Sequence, residues 1–151
     1  MIYISYLETP FGILEIRATS RYILSVLFVD YVLENVTENE LTKRCKLEIQ
    51  EYFDKKRRTF DLPYQLVGTE FSKKVLQEVE KIPYGEVMTY KEIAKNVGKE
   101  SAVRAVGNMI GKNNLLILLP CHRVIGSNGK MTGYVAGIKI KEKLLDLEKG
   151  K

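Results

Sequence analysis

The sequence predicts an α+β protein of two lobes: a small antiparallel sheet with one helix, then a helical lobe carrying a winged-helix-like helix-turn-helix. Three observations predict it. Three short strand-like runs crowd into the first 29 residues, and apolar residues then recur at helical spacings. Late in the chain two short helices with small side chains flank a glycine turn. At 151 residues and 45% hydrophobic content, the chain is long enough for one core or for two small lobes.

Ile2 to Leu7 alternates in strand fashion, and Thr9-Pro10-Phe11-Gly12 reads as the reversal after it. Ile13 to Ala18 puts Leu14, Ile16 and Ala18 on one face and Glu15 and Arg17 on the other. Tyr22 to Val29 is more continuously apolar, which predicts a central strand. Residues 34–40 are polar and read as a loop. Leu41, Cys45, Ile49, Tyr52 and Phe53 then stack on one helical face. Cys45 lies inside that stripe and reads as an inert packing thiol. The basic cluster Lys55-Lys56-Arg57-Arg58 reads as a solvated helix exit with charge suited to the C-terminal dipole. Residues 60–68, holding Pro63 and Gly68, read as a connection, giving lobes 1–68 and 69–151.

From Phe71, the residues Val75, Val79 and Ile82 describe a helix stopped by Pro83-Tyr84-Gly85. Thr89-Tyr90-Lys91-Glu92 is a capping box, and Val97-Gly98 suits the end of the short helix it opens. A second helix spans about 101–110, kept slim by Ala102, Ala105 and Gly107. Leu115 to Leu119 reads as a buried strand ended by Pro120. Asn128-Gly129 predicts a hairpin within residues 125–133. The closing helix, 138–148, is predicted to turn Leu144, Leu145 and Leu147 inward and Lys139, Lys141 and Lys143 outward.

No run approaches a membrane span and the first residues are strand-like, so an intracellular, cytoplasmic protein without a membrane partner is expected. Two distant cysteines and one histidine are too few for a structural zinc site and give no disulfide framework. The net charge of +5 is uneven. Residues 1–69 carry nine basic and ten acidic side chains, a net of −1; residues 70–151 carry fifteen and nine, a net of +6. A basic second lobe suits a polyanion, with nucleic acid foremost, although charge alone also fits a solvated surface.

The chemistry concentrates in Pro120-Cys121-His122-Arg123. His122 is the only histidine, and it adjoins one of the two cysteines. A thiol needs a proton acceptor to become a nucleophile, and an inert core cysteine needs no such neighbour.

Five segments, Ile82-Pro83-Tyr84-Gly85-Glu86-Val87, Thr89-Tyr90, Arg104-Ala105-Val106-Gly107, Pro120-Cys121-His122-Arg123-Val124 and Gly133-Tyr134, occur in this order. Together they resemble the O6-alkylguanine-DNA alkyltransferases, the methylated-DNA-protein-cysteine methyltransferases. The resemblance covers residues 70–150 strongly and the sheet lobe loosely. It implies irreversible, single-turnover transfer of an alkyl group from O6-alkylguanine, with O4-alkylthymine as a further candidate, to Cys121. His122 would take the thiol proton through a water, and Glu148 would orient the imidazole. Tyr90 would donate to the guanine N3, and the backbone carbonyls of Cys121 and Val124 would receive its amino group. Val124, Tyr134 and Val135 would bind the substrate.

The same resemblance implies a base flipped from duplex DNA through the minor groove. Arg104 would fill the vacated stack, and Ala102 and Ala105 would allow close approach. Ser72, Lys91, Lys99 and Ser127 would touch the DNA backbone, and Asn113 would pin the loop ahead of the active segment. The protein would act as a monomer, without metal or organic cofactor. Two departures stand out: Asn113-Asn114 where the family has Asn-Pro, and Tyr134-Val135 where it has Tyr-Ser. The second leaves only a backbone N–H at Val135. Two other readings stay open on the residues themselves: a helix-turn-helix regulator without chemistry, and a cysteine hydrolase using Cys121 and His122.

Overall fold

The computed structural model describes residues 1–131 and 133–150. Residues 132 and 151, which the expected hairpin and the expected second lobe include, lie outside the described residues. The chain forms two compact units, Met1–Gln65 with Asn114–Leu118, and Leu66–Asn113 with the chain from Leu119 onward.

In the first unit, β1 (Tyr3–Thr9), β2 (Gly12–Ala18) and β3 (Ile23–Val29) form an antiparallel meander in that order. The β1–β2 ladder runs from Tyr3 opposite Ala18 to Thr9 opposite Gly12. The Thr9 hydroxyl accepts from the Phe11 N–H at 3.1 Å, which closes the reversal. Helix α1 (Glu40–Phe53) opens on an Asn39 cap that reciprocates with Thr42, satisfying donors a helix start leaves unpaired. Its expected stripe is buried: Leu41, Cys45, Ile49, Tyr52 and Phe53. Leu14, Ile16 and Val26 are fully buried on the sheet, each stabilising the unit by roughly 1.5–3 kcal/mol.

One reading of this unit changes. The central strand is β2, not β3. β3 lies at the edge of the meander, and its outer edge is met by other chain segments: Ile23 N–H donates to the Pro63 carbonyl at 2.8 Å, and Val26 exchanges bonds with the Asn114 carbonyl and the Leu116 N–H. The basic cluster begins after α1 has ended at an Asp54 cap, with Lys55 at a positive φ of 61°. Arg57 then folds back to Glu51 at 3.0 Å and Glu48 at 3.5 Å.

The run Leu115 to Leu119 is buried throughout. It is not a strand. Only Leu115 forms a bridge, opposite Val26, and the following residues turn, with Ile117 held at a positive φ of 73°. A β-branched residue in that region is strained, so burial of all five side chains here overrides strand propensity.

In the second unit, α2 (Glu70–Glu80) starts at a Thr69 cap and buries Val75 and Val79. A two-residue strand β4 (Met88–Thr89) leads into α3 (Tyr90–Asn96). The capping box is present as read: the Thr89 hydroxyl accepts from Glu92 N–H at 3.0 Å, and the Glu92 carboxylate accepts from Thr89 N–H at 3.0 Å. Gly98 ends α3 at φ 79°, a left-handed position that a side chain would strain. A short 3₁₀ turn leads to α4 (Val103–Gly111), which completes the helix-turn-helix.

Strand β5 (Val124–Ile125) pairs in parallel with β4, Met88 opposite Val124. The Asn128-Gly129 turn forms, with Gly126 N–H donating to the Lys130 carbonyl at 2.9 Å, but no strand returns from it among the described residues. Among the described residues the expected hairpin is therefore a turn. Helix α5 (Ile138–Glu148) closes the unit and buries Leu144, Leu145 and Glu148. It also buries Lys141 completely, against the expected outward placement. The physical reason is the helical period: position 141 lies three, four and seven residues before 144, 145 and 148 and shares their face.

Candidate active site and nucleic-acid interface

Cys121, His122 and Arg123 form one turn of 3₁₀ helix. Three residues per turn aim three successive side chains in three directions, so adjacency in sequence does not make a direct thiol–imidazole bond. All three are buried, His122 completely.

Glu148, at the last turn of α5, is the common partner. Its carboxylate meets His122 Nε2 at 2.5 Å. It also accepts from Arg123 Nε at 2.8 Å, from Arg123 Nη2 at 3.0 Å and from Gly85 N–H at 3.1 Å. Arg123 spends its remaining nitrogen on the Ile82 carbonyl at 2.7 Å. This fork-on-carboxylate pairing fixes Glu148 as well as charging it. Burial alone would raise the Glu148 pKa; its bonds to His122 and Arg123, with the Arg123 charge, overcome that, so the carboxyl is held well below its ordinary value.

For His122, burial lowers the pKa and outweighs the opposing pull of Glu148. A neutral ring beside an ionised carboxylate donates Nε2–H to it, because the carboxylate can only accept. Nδ1 is then the lone-pair nitrogen, and it has no protein partner among the described residues. The site thus holds a neutral base in one defined tautomer.

Burial raises the Cys121 thiol above its ordinary value, while the charge of Lys141 and a hydrogen bond with the Asn113 side chain pull it back. Asn113 is itself buried and its amide donates to the Leu119 carbonyl at 3.4 Å, so it grips both the approach to the nucleophile and the nucleophile. Lys141 Nζ donates to the Tyr90 hydroxyl at 3.2 Å. Burial brings the Lys141 ammonium down to about 8, partly offset by Cys121. An ammonium donating to a phenolic oxygen makes that hydroxyl a stronger donor. Tyr134 lies against His122, ring centroids 6.4 Å apart, with a buried hydroxyl that lacks a protein partner among the described residues. Burial, then the nearness of Cys121 and Glu148, raises its pKa well above the ordinary value.

Tyr90 also lines an open cavity of about 520 Å³ with Val103, Arg104, Gly107, Asn108 and Gly133. Arg104 and Ala105 are exposed on α4. Of the other residues read as DNA contacts, Lys91, Lys99 and Ser127 are exposed, and Lys99 sits over the Phe71 ring at 5.4 Å. The Ser72 hydroxyl is half-buried and donates to the Thr69 carbonyl at 3.0 Å within the α2 cap. Val124 is buried on β5, and its N–H donates to the Cys121 carbonyl, one of the two carbonyls expected to face the base. Val135 is exposed. Among the described residues no group of three or more acidic, histidine or cysteine side chains could hold a metal, and no helix is long and apolar enough to cross a membrane.

The family described as 6-O-methylguanine DNA methyltransferase, DNA binding domain, matches residues 70–150, and its ribonuclease-like domain matches residues 2–66. The chain belongs to the 6-O-methylguanine DNA methyltransferase family. It is similar to the methylated-DNA–protein-cysteine methyltransferase of Methanosarcina acetivorans, 40% identical over 97% of this chain and 98% of that protein. The constitutive methylated-DNA–protein-cysteine methyltransferase of Bacillus subtilis is 43% identical over 99% of this chain and 96% of its own length.

Among solved structures, Mycobacterium tuberculosis O6-methylguanine methyltransferase superposes with a TM-score of 0.88 at 34% identity, covering 99% of this chain and 94% of that one. OGT of the same organism in complex with DNA gives 0.86 at 34% identity, covering 99% and 92%. Within this methyltransferase frame, sequence reasoning missed Lys141, and it did not foresee that Asn113 touches the thiol or that Arg123 clamps Glu148. Helical periodicity could have found Lys141. The other two contacts join segments 8 and 25 residues apart and leave no local trace.

Proposed function

We propose that the chain repairs DNA by direct reversal, moving a methyl or other alkyl group from O6-alkylguanine in duplex DNA to Cys121 in a single turnover. The buried Cys121–His122–Glu148 arrangement carries the proposal: a thiol beside a neutral imidazole whose one open nitrogen can accept a proton. The thiol proton passes to His122 Nδ1 through a water, and the imidazolium formed is balanced by Glu148. Sγ attacks the alkyl carbon, the bond from that carbon to O6 breaks, and its electron pair remains on the guanine. Tyr90, polarised by Lys141, gives the leaving base a proton at N3. The Tyr90 phenolate then recovers the proton held on His122 through solvent, so that in sum the thiol hydrogen is replaced by the alkyl group and guanine gains a proton. A thioether resists hydrolysis, so the protein is consumed.

A buried thiol cannot reach a stacked base, so the nucleotide is extruded into the cavity beside Tyr90, at a few kcal/mol that a damaged base lowers. Arg104 fills the vacated stack while the slim face of α4 lies in the minor groove. Lys91, Lys99 and Ser127 serve the phosphates, and Ser72 does so through the end of α2. The protein works as a cytoplasmic monomer without metal or cofactor. Incubation with duplex bearing labelled O6-methylguanine tests this reading. Label should move to protein in a 1:1 ratio; label freed as methanol, or left on DNA, would overturn it.

A further inference from the structure

We propose that Asn108 reads the minor-groove edge of the base pair beside the lesion, an inference that rests on the minor-groove mode proposed above. Asn108 and Arg104 are one turn apart on α4, both exposed, and both line the cavity that Tyr90 opens onto. The rest of that wall is Val103, Gly107 and Gly133, which bring no side-chain hydrogen-bonding group. Among the described residues the Asn108 amide makes no side-chain hydrogen bond, so its donor and acceptor are both available. The neighbouring exposed Ala105 is too short to screen it.

Four helical residues advance about 6 Å at 1.5 Å each. With α4 along the groove and Arg104 in the vacated stack, the amide reaches one or two base steps away, each about 3.4 Å. A lysine or arginine there would serve any phosphate. An amide distinguishes bases, because its NH₂ can donate to the purine N3 or pyrimidine O2 of every pair, whereas its oxygen can accept only from the guanine N2 amino group. A flanking G·C pair therefore satisfies both halves of Asn108, and an A·T pair one.

Single-turnover transfer is compared on duplexes that differ in one pair flanking O6-methylguanine, on each side in turn. Inosine·C removes the N2 amino group from G·C, and 2,6-diaminopurine·T adds one to A·T. On one side of the lesion, the protein should favour G·C over inosine·C, and diaminopurine·T over A·T, by about fivefold, the net worth of one hydrogen bond. Inosine also weakens the duplex, which by itself would speed extrusion and push the ratio the other way. In Asn108→Ala both ratios should lose that preference; in Asn108→Asp, which keeps an acceptor, they should persist. Each ratio is taken within one protein, so a general loss of activity cancels. Ratios unaffected by Asn108→Ala, or no amino-group preference in the unaltered protein, would overturn the inference and leave the repair reading standing. Absence of transfer from every duplex would overturn the repair reading and the inference with it.

Discussion

The two cysteines, one in each unit, are alike in burial and opposite in company. Cys45 sits in the α1 stripe with Leu41, Ile49 and Tyr52, and burial and then the nearby Glu48 push its thiol up to about 12. Cys121 is equally buried, but Lys141 and Asn113 act to lower its pKa, and the next residue is an imidazole anchored by Glu148. Burial is therefore not what makes a thiol reactive. What differs is the sign of the surrounding charge and the presence of a place for the proton.

The sharpest way to break that comparison is to exchange the fates of the two thiols. Cys121→Ala should abolish transfer in the labelled-DNA assay. Tyr90→Phe removes the donor to the leaving base and should slow single-turnover transfer by about 10²–10³-fold, the range for one transition-state donor. A loss below tenfold would remove Tyr90 from the chemistry.

Glu148→Ala leaves Arg123 and His122 buried without their anion and should destabilise the fold by about 3–5 kcal/mol in a denaturant titration. The acid limb supplies the sign. The folded Glu148 carboxyl lies below its ordinary value, so the stability it contributes is complete above that value and drains away as pH falls beneath it. Denaturation curves between about pH 6 and about pH 3 should lose part of their acid dependence in Glu148→Gln. An unchanged acid limb would contradict the buried clamp.

Arg104→Ala should reduce transfer from duplex DNA by about tenfold or more while transfer from free O6-benzylguanine changes little, since a free base needs no extrusion. Equal losses on both substrates would exclude a role in flipping. The smallest effect belongs to the other thiol. Cys45→Ala should cost about 1 kcal/mol of stability, as a small core truncation does, and leave the labelled-DNA assay at full stoichiometry.

How much of this was legible beforehand follows the range of the forces involved. The Thr89–Glu92 capping box, the Asn39-to-Phe53 helix stripe and the turn at Asn128-Gly129 are local, and periodicity or turn chemistry gave all but the Asn39 cap. Cys121 and His122 stand out by their adjacency alone, whereas Glu148 enters only through the family resemblance; by itself it reads as a surface residue at a helix end. Lys139, Lys141 and Lys143 alternate in sequence like a solvated face, whereas a helix turns by about 100° per residue and groups 141 with 144, 145 and 148. The aliphatic run 115–119 has the composition of a strand, but hydrophobicity fixes burial without fixing pairing. Tertiary packing decided its turns.

Mass spectrometry of the intact protein after mixing with duplex containing O6-methylguanine, followed by peptide mapping, tests the central claim most directly. One added methyl group, located on Cys121 and absent from Cys45, is the result expected. Guanine restored in the DNA while the protein mass stays unchanged, or a methyl found on any other side chain, would contradict it.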